Sequence, residues 1–137
     1  MACKRYLPPS LLERFFNQFD ADIKTTVGHT VQYRPIDLLK IGSGDYQVLM
    51  WSQMHGNEST TTKALLDFIP WFLSEAQIKY QEAFTLHIIP QLNPDGSHLY
   101  TRVNANGVDL NRDAVHLPSR KVRFLGRFTN RLSPICV

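Results

Sequence analysis

The stretch Tyr46-Gln47-Val48-Leu49-Met50-Trp51-Ser52, paired with the later Phe84-Thr85-Leu86-His87-Ile88-Ile89-Pro90, decides the fold. Each is a short, nearly continuous apolar run, the pattern of a strand covered on both faces. Between them Leu65, Phe68, Ile69, Phe72, Leu73 and Ala76 mark one face of a helix over 58–79, with Pro70 inside it to kink it or split it in two. Strand, helix and strand in that order make a right-handed crossover, with the two strands parallel and their outgoing loops on one edge of the sheet. Ligands of open α/β sheets bind at that carboxyl edge. Residues 53–58 are therefore expected to face residues 93–112.

Outward from this unit, Ser10 and Glu13 form a capping box after Pro8-Pro9, and Leu12, Phe15, Phe16 and Phe19 follow at helical spacing, which predicts a helix over 10–19. Thr30 to Arg34 alternates, with Val31 and Tyr33 on one side, and reads as a strand. Ile36 to Ile41 is a second extended piece, closed by Gly42-Ser43-Gly44. Asn93-Pro94-Asp95-Gly96 reads as a turn. The expected class is α/β, a mixed, mostly parallel sheet with helices on both faces, in one domain over 1–116 followed by a basic tail over 117–137.

With 137 residues, 43% hydrophobic and 20% charged, the chain is long enough to bury a core, and it is neither collagenous, low-complexity nor wholly disordered. No apolar run approaches the roughly 20 residues of a membrane-spanning helix. Lys4 and Arg5 have no apolar run behind them, so no secretory signal is read and a cytoplasmic protein is expected. Cys3 and Cys136 sit at opposite ends and build neither a disulfide framework nor a zinc ribbon. The net charge of +3 is uneven: residues 117–137 carry Arg120, Lys121, Arg123, Arg127 and Arg131 and no acid. The remaining ten bases against 12 acids leave the body at −2. A basic tail suits nucleic acid or a membrane surface. No aromatic-interleaved RNA motif or helix-turn-helix accompanies it, so it reads as a solvated terminus, with no nucleic-acid or membrane partner expected.

The first edge loop reads Gln53-Met54-His55-Gly56-Asn57-Glu58. An imidazole and a carboxylate three residues apart at a helix entrance suit one cation, and both are good zinc ligands. The same pair also suits a surface histidine with a glutamate stabilising a first helical turn. The second loop runs from Asn93 to Asp113 and holds Arg102 and Arg112 amid asparagine and glycine. Guanidinium groups there suit recognition of a carboxylate through two parallel hydrogen bonds. Its asparagines and aspartates also stabilise turns.

His55-Gly56-Asn57-Glu58, Asn93-Pro94-Asp95-Gly96 and Gly107-Val108-Asp109-Leu110-Asn111-Arg112, in that order, resemble the zinc metallocarboxypeptidase family of carboxypeptidase A type over roughly residues 45–116. The resemblance implies Zn2+ held by His55 and Glu58. It implies that Arg102 polarises the scissile carbonyl and that Asn111 and Arg112 grip the terminal carboxylate of a peptide substrate. It also implies a third zinc ligand, a downstream histidine, and a general-base glutamate further on. The chain has no glutamate after Glu82, and only His87, His98 and His116 offer another imidazole: His87 reads as a core histidine, His98 and His116 as exposed ones.

The family's catalytic domain is about twice as long, and residues after Leu117 do not resemble it, so the expectation is an amino-terminal portion with an unrelated or aberrant end and little or no peptidase activity. The aspartoacylase and succinylglutamate desuccinylase group, which acts on small acylated amino acids, shares the His-Gly-Asn-Glu and Asp-Leu-Asn-Arg motifs. Asn-Pro-Asp-Gly and the residues after Arg112 fit carboxypeptidases better. A non-catalytic binder of peptide C-termini, keeping only Arg102, Asn111 and Arg112 as a carboxylate cradle, is the alternative from another class.

Overall fold

Alternation along one strand sorts the core into two layers. In β2 (Pro35–Gly42), Ile36 and Leu38 are buried on one side and Leu39 and Ile41 on the other. The computed structural model describes residues 6, 7 and 9–113. Within them β2 pairs antiparallel with β1 (Lys24–His29), Lys24 opposite Leu39, and antiparallel with β4 (Phe84–Ile89), Leu39 opposite Ile88. The last strand, β3 (Tyr46–Trp51), runs parallel to β4 with Val48 opposite Leu86, giving the order β1-β2-β4-β3. The sheet is mixed but not mostly parallel: two of its three pairings among the described residues are antiparallel, and the parallel one is the β3–β4 pair expected from the strand–helix–strand pattern.

On one face Leu39, Ile41, Leu86 and Ile88 meet Leu12 and Phe16 of α1 (Pro9–Phe16) and Leu65, Leu66, Ile69 and Phe72 of α2 (Thr60–Phe72). Each such side chain, fully buried, contributes about 1.5–3 kcal/mol of transfer free energy. On the other face Ile36, Leu38, Ile89 and Leu92 form a second cluster with Val27 and Met54 at its margin. Among the described residues no helix is long and apolar enough to cross a membrane.

Two local expectations are corrected and one alternative is decided. The helix over 58–79, which the proline is expected to kink or split, is two helices. α2 stops at Phe72, two residues past Pro70, and the chain passes through a 3-10 turn, Glu75–Gln77, into α3 (Ile78–Ala83). The helical ladder runs past Pro70, with Leu73 N donating to the Ile69 carbonyl at 3.0 Å, and Ser74 Oγ donates to the Trp71 carbonyl at 2.7 Å as the chain turns away. Thr30 to Arg34 is the β1–β2 turn rather than a strand: Thr30 N donates to the Arg34 carbonyl at 2.8 Å and Tyr33 takes φ 60°. Its alternation of Val31 and Tyr33 is exposed, not half-buried. Asn93-Pro94-Asp95-Gly96 opens a helix, α4 (Pro94–Leu99): the Asn93 side chain accepts from Gly96 N, and the proline occupies the first turn, where its missing donor is no loss. The expected division at 116/117 lies outside the described residues.

His87 is buried in β4 with Nε2 2.9 Å from Gln47 Oε1, and Lys40 lies opposite it on β2. Burial first, and the Lys40 charge second, hold its pKa below the ordinary 6.5. The unfolded chain then binds a proton as pH falls below about 6.5 that the folded chain resists, so stability falls with pH in that window. His87→Gln, which keeps a neutral hydrogen-bonding group, is expected to flatten this slope in urea titrations between pH 7 and 5.

The carboxyl ends of β3 and β4 are bound together by backbone contact. A Cβ on Gly56 would stand 1.9 Å from the Gly96 carbonyl carbon and 2.2 Å from Ser97 N. Only a residue without a side chain lets the two segments meet. Gly56→Ala is expected to lower stability by about 1–3 kcal/mol or more, read as the urea midpoint. Gly28→Ala, where a Cβ meets nothing within 4 Å, should stay within about 0.5 kcal/mol.

Candidate metal and carboxylate site

Beneath the glycine contact lies a buried polar network that sets the paths of both loops. Gln53, in the left-handed region at φ 50°, donates through Nε2 to the Gly56 carbonyl at 2.6 Å and to Ser97 Oγ at 3.0 Å. Its Oε1 accepts from Thr62 Oγ1 on α2 at 2.9 Å and from Gln91 Nε2 at 3.1 Å. Asn93 Nδ2 reaches the Met54 carbonyl at 3.2 Å, and Asn93 N the Gln53 carbonyl at 3.1 Å. Buried amides with partners on both loops fix their separation, because an unmade bond there would cost about 1–3 kcal/mol. The Asp95 carboxylate, fully buried, ties the second loop to the β1–β2 turn, accepting from Thr30 Oγ1 at 2.6 Å and pairing with Arg34 Nη1 at 2.8 Å.

On this platform the His55 imidazole meets the charged side chains of Glu58, Arg102 and Asp109. His55 Nδ1 lies 3.0 Å from Glu58 Oε2, and His55 Nε2 lies 3.1 Å from Asp109 Oδ1. Arg102 Nε donates to Asp109 Oδ2 at 3.0 Å and its Nη1 to Glu58 Oε1 at 3.0 Å. Arg112 Nε stands 3.9 Å from Asp109 Oδ2, with its side chain 86% exposed, and Asn111 is exposed beside it. His55, Glu58, Arg102, Asn111 and Arg112 are thus brought to one place, the imidazole of His55 and the guanidinium of Arg112 sharing Asp109. A cleft of about 180 Å³, lined by Trp51, Met54, His55, Glu58 and Thr61 among others, opens beside the pair.

Asp109 joins these groups, and the sequence reading gave it no role. It caps α5 (Leu110–Asp113), its Oδ1 accepting from Asn111 N at 3.0 Å and Arg112 N at 3.4 Å. Burial pushes its carboxyl pKa up, but hydrogen bonds from Arg102, His55 and those two amides outweigh this and bring it down from 3.8 to about 2. The signal available was an aspartate immediately before a helix, a strong N-cap residue. Asn104 works similarly within the loop, its Oδ1 accepting from the amides of Asn106 and Val108.

His55 and Glu58 suit two of the ligands of a zinc ion. An ionised Asp109 only accepts, so the proton between it and His55 sits on Nε2. Nδ1 faces the Glu58 carboxylate at 3.0 Å, a separation that either a proton or a cation between them would bridge. Two ligands on one tetrahedral zinc stand about 3.3 Å apart. The carboxylate behind the imidazole is the arrangement that fixes the tautomer of metal-binding histidines. The described residues hold no group of three metal-binding side chains, so a third protein ligand is not among them. His87 is in the sheet, His98 is exposed on α4, and His116 lies outside the described residues.

Residues 16–128 match the model of the zinc carboxypeptidase family. Carboxypeptidase E of Caenorhabditis elegans is 30% identical, the alignment taking in 68% of this chain and 25% of that protein. The human carboxypeptidase N catalytic chain is 28% identical over 64% of this chain and 25% of its own length. Among solved structures, a metallo-carboxypeptidase from Burkholderia cenocepacia superposes with a TM-score of 0.75 at 24% identity, over 93% of this chain and 39% of that one. The Pseudomonas aeruginosa metallo-carboxypeptidase, solved in complex with (2-guanidinoethylmercapto)succinic acid, gives 0.76 at 22% identity over 93% and 38%. At those identities the structural likeness shows the fold. The chain spans about a quarter of the length of these curated relatives. The family match over most of its length, together with the shared fold, shows that this chain belongs to the zinc carboxypeptidase family.

Proposed function

We propose that this chain supplies the amino-terminal part of a metallocarboxypeptidase centre, in which His55 and Glu58 hold zinc and Arg102, Asn111 and Arg112 hold the C-terminal end of a peptide. The single observation that carries this reading is the convergence of His55, Glu58, Arg102 and Asp109 into one network across 44 to 54 residues of sequence. Zinc, when bound, supplies a Lewis acid and a water whose pKa falls to about 7. Asp109 keeps the His55 ring oriented and its Nδ1 free to ligate. Arg112, almost wholly exposed, presents a guanidinium whose fork matches a carboxylate, and Asn111 adds an amide donor beside it. Arg102 stands between this grip and the metal pair, where a positive charge offsets the charge developing on a carbonyl oxygen.

Catalytic zinc normally has three protein ligands and a water. The two ligands among the described residues would by themselves bind the metal weakly, and with them alone little hydrolysis is expected. One observation favours a second reading, a binder of peptide C-termini without turnover: Arg112 is accessible while the described residues hold no third metal ligand.

Zinc content after purification, compared between the chain and His55→Ala, tests the metal assignment. Sub-stoichiometric zinc in the chain and none in the variant is expected; equal zinc in both would refute it. Tight stoichiometric zinc with clear release of C-terminal amino acids would instead refute the weak, incomplete centre. Asp109→Asn, which unlocks the His55 tautomer, should weaken zinc about 10–100-fold in a chelator competition, with the far-UV spectrum retained. A peptide should bind with a free C-terminus and lose binding when that terminus is amidated, and Arg112→Ala should abolish the difference.

A further inference from the structure

The Arg102 guanidinium is divided between two carboxylates of unlike character. Its Nε donates to Asp109 Oδ2, on a side chain only 15% exposed and also held by His55 and two backbone amides. Its Nη1 donates to Glu58 Oε1, on a side chain 59% exposed. The Asp109 end is fixed and the Glu58 end is loose. Glu58 turns its other oxygen, Oε2, toward His55 Nδ1. One exposed carboxylate therefore serves both as a member of the metal pair and as partner to a cation.

We propose that Arg102 is the counter-ion of Glu58 in the metal-free chain, and that zinc uptake displaces Nη1 from Glu58 while Nε stays on Asp109. This rests on the function proposed above. The divalent ion and the guanidinium compete for the charge of the same carboxylate and repel each other, so each weakens the other's hold. The coupling is reciprocal: the factor by which the ion pair lowers zinc affinity is the factor by which zinc loosens the ion pair. Both side chains are about half exposed, so solvent screens the effect to about three- to tenfold in zinc affinity. The exchange frees Nη1 when the metal arrives, so the group that would meet a substrate oxygen becomes available only in the loaded site.

The test is zinc affinity, by competition with a chromophoric chelator, for the full chain, Arg102→Gln, Arg102→Lys and His55→Ala, with urea midpoints recorded without metal and at saturating zinc. Arg102→Gln should bind zinc three- to tenfold more tightly than the chain. It should have a lower urea midpoint without metal, and the difference should shrink or reverse at saturating zinc. Arg102→Lys, whose single ammonium cannot bridge both carboxylates as the fork does, should fall between them, and it decides the matter if Arg102→Gln does not fold. Unchanged or weaker zinc binding in the folded Arg102 variants, with His55→Ala still losing the metal, would overturn the exchange and leave the metal pair standing. Zinc binding indifferent to His55→Ala would overturn the metal pair and the exchange with it.

Discussion

The site depends on two backbones touching. Gly56 and Gly96 approach so closely that a single added carbon would overlap the main chain. Because the loops leaving β3 and β4 are thus pressed together, a histidine on the first and an aspartate on the second come within hydrogen-bonding distance, though 54 residues separate them. The buried amides of Gln53, Gln91 and Asn93 hold this contact from below. Side chains placed on such a platform lose little further freedom in forming the charge network above it.

That network has one centre. Asp109 accepts from an imidazole, a guanidinium and two amides, and so remains a carboxylate to about pH 2. Its constant charge gives Nε2 of His55 a standing acceptor and anchors the Nε end of Arg102. Glu58, by contrast, is exposed and makes two contacts that a cation would rearrange. A fixed carboxylate behind the imidazole and an adaptable one before it is the division of labour that the proposed metal pair requires.

The large features were legible because they follow from periodicity. Two apolar runs bracketing a helical pattern gave the parallel β3–β4 pair, and the topology alone then put residues 53–58 opposite residues 93–112. Local readings failed where a side chain far off in sequence overrode a short pattern, or where one short pattern suits two structures. Thr30 to Arg34 alternates as a strand does, but Asp95 gathers Thr30 and Arg34 into a turn. Asn93-Pro94 serves a turn or a helix start equally well, and the choice falls to the helix once Gly96 donates to Asn93. Asp109 escaped notice because its importance lies in four partners, only two of them near it in sequence. The Gly56–Gly96 contact could not be read at all, since a glycine in a motif does not say which backbone it must admit.

The protonation of one ring reports on all of this at once. In a ¹⁵N-labelled chain without metal, the histidine side-chain nitrogen shifts report which ring nitrogens of His55 carry a proton. With Asp109 in place Nε2 should carry a proton whether or not Nδ1 carries a second one toward Glu58. A His55 ring protonated on Nδ1 with a bare Nε2 would mean that no acceptor stands behind it, and the two loops would not meet as described.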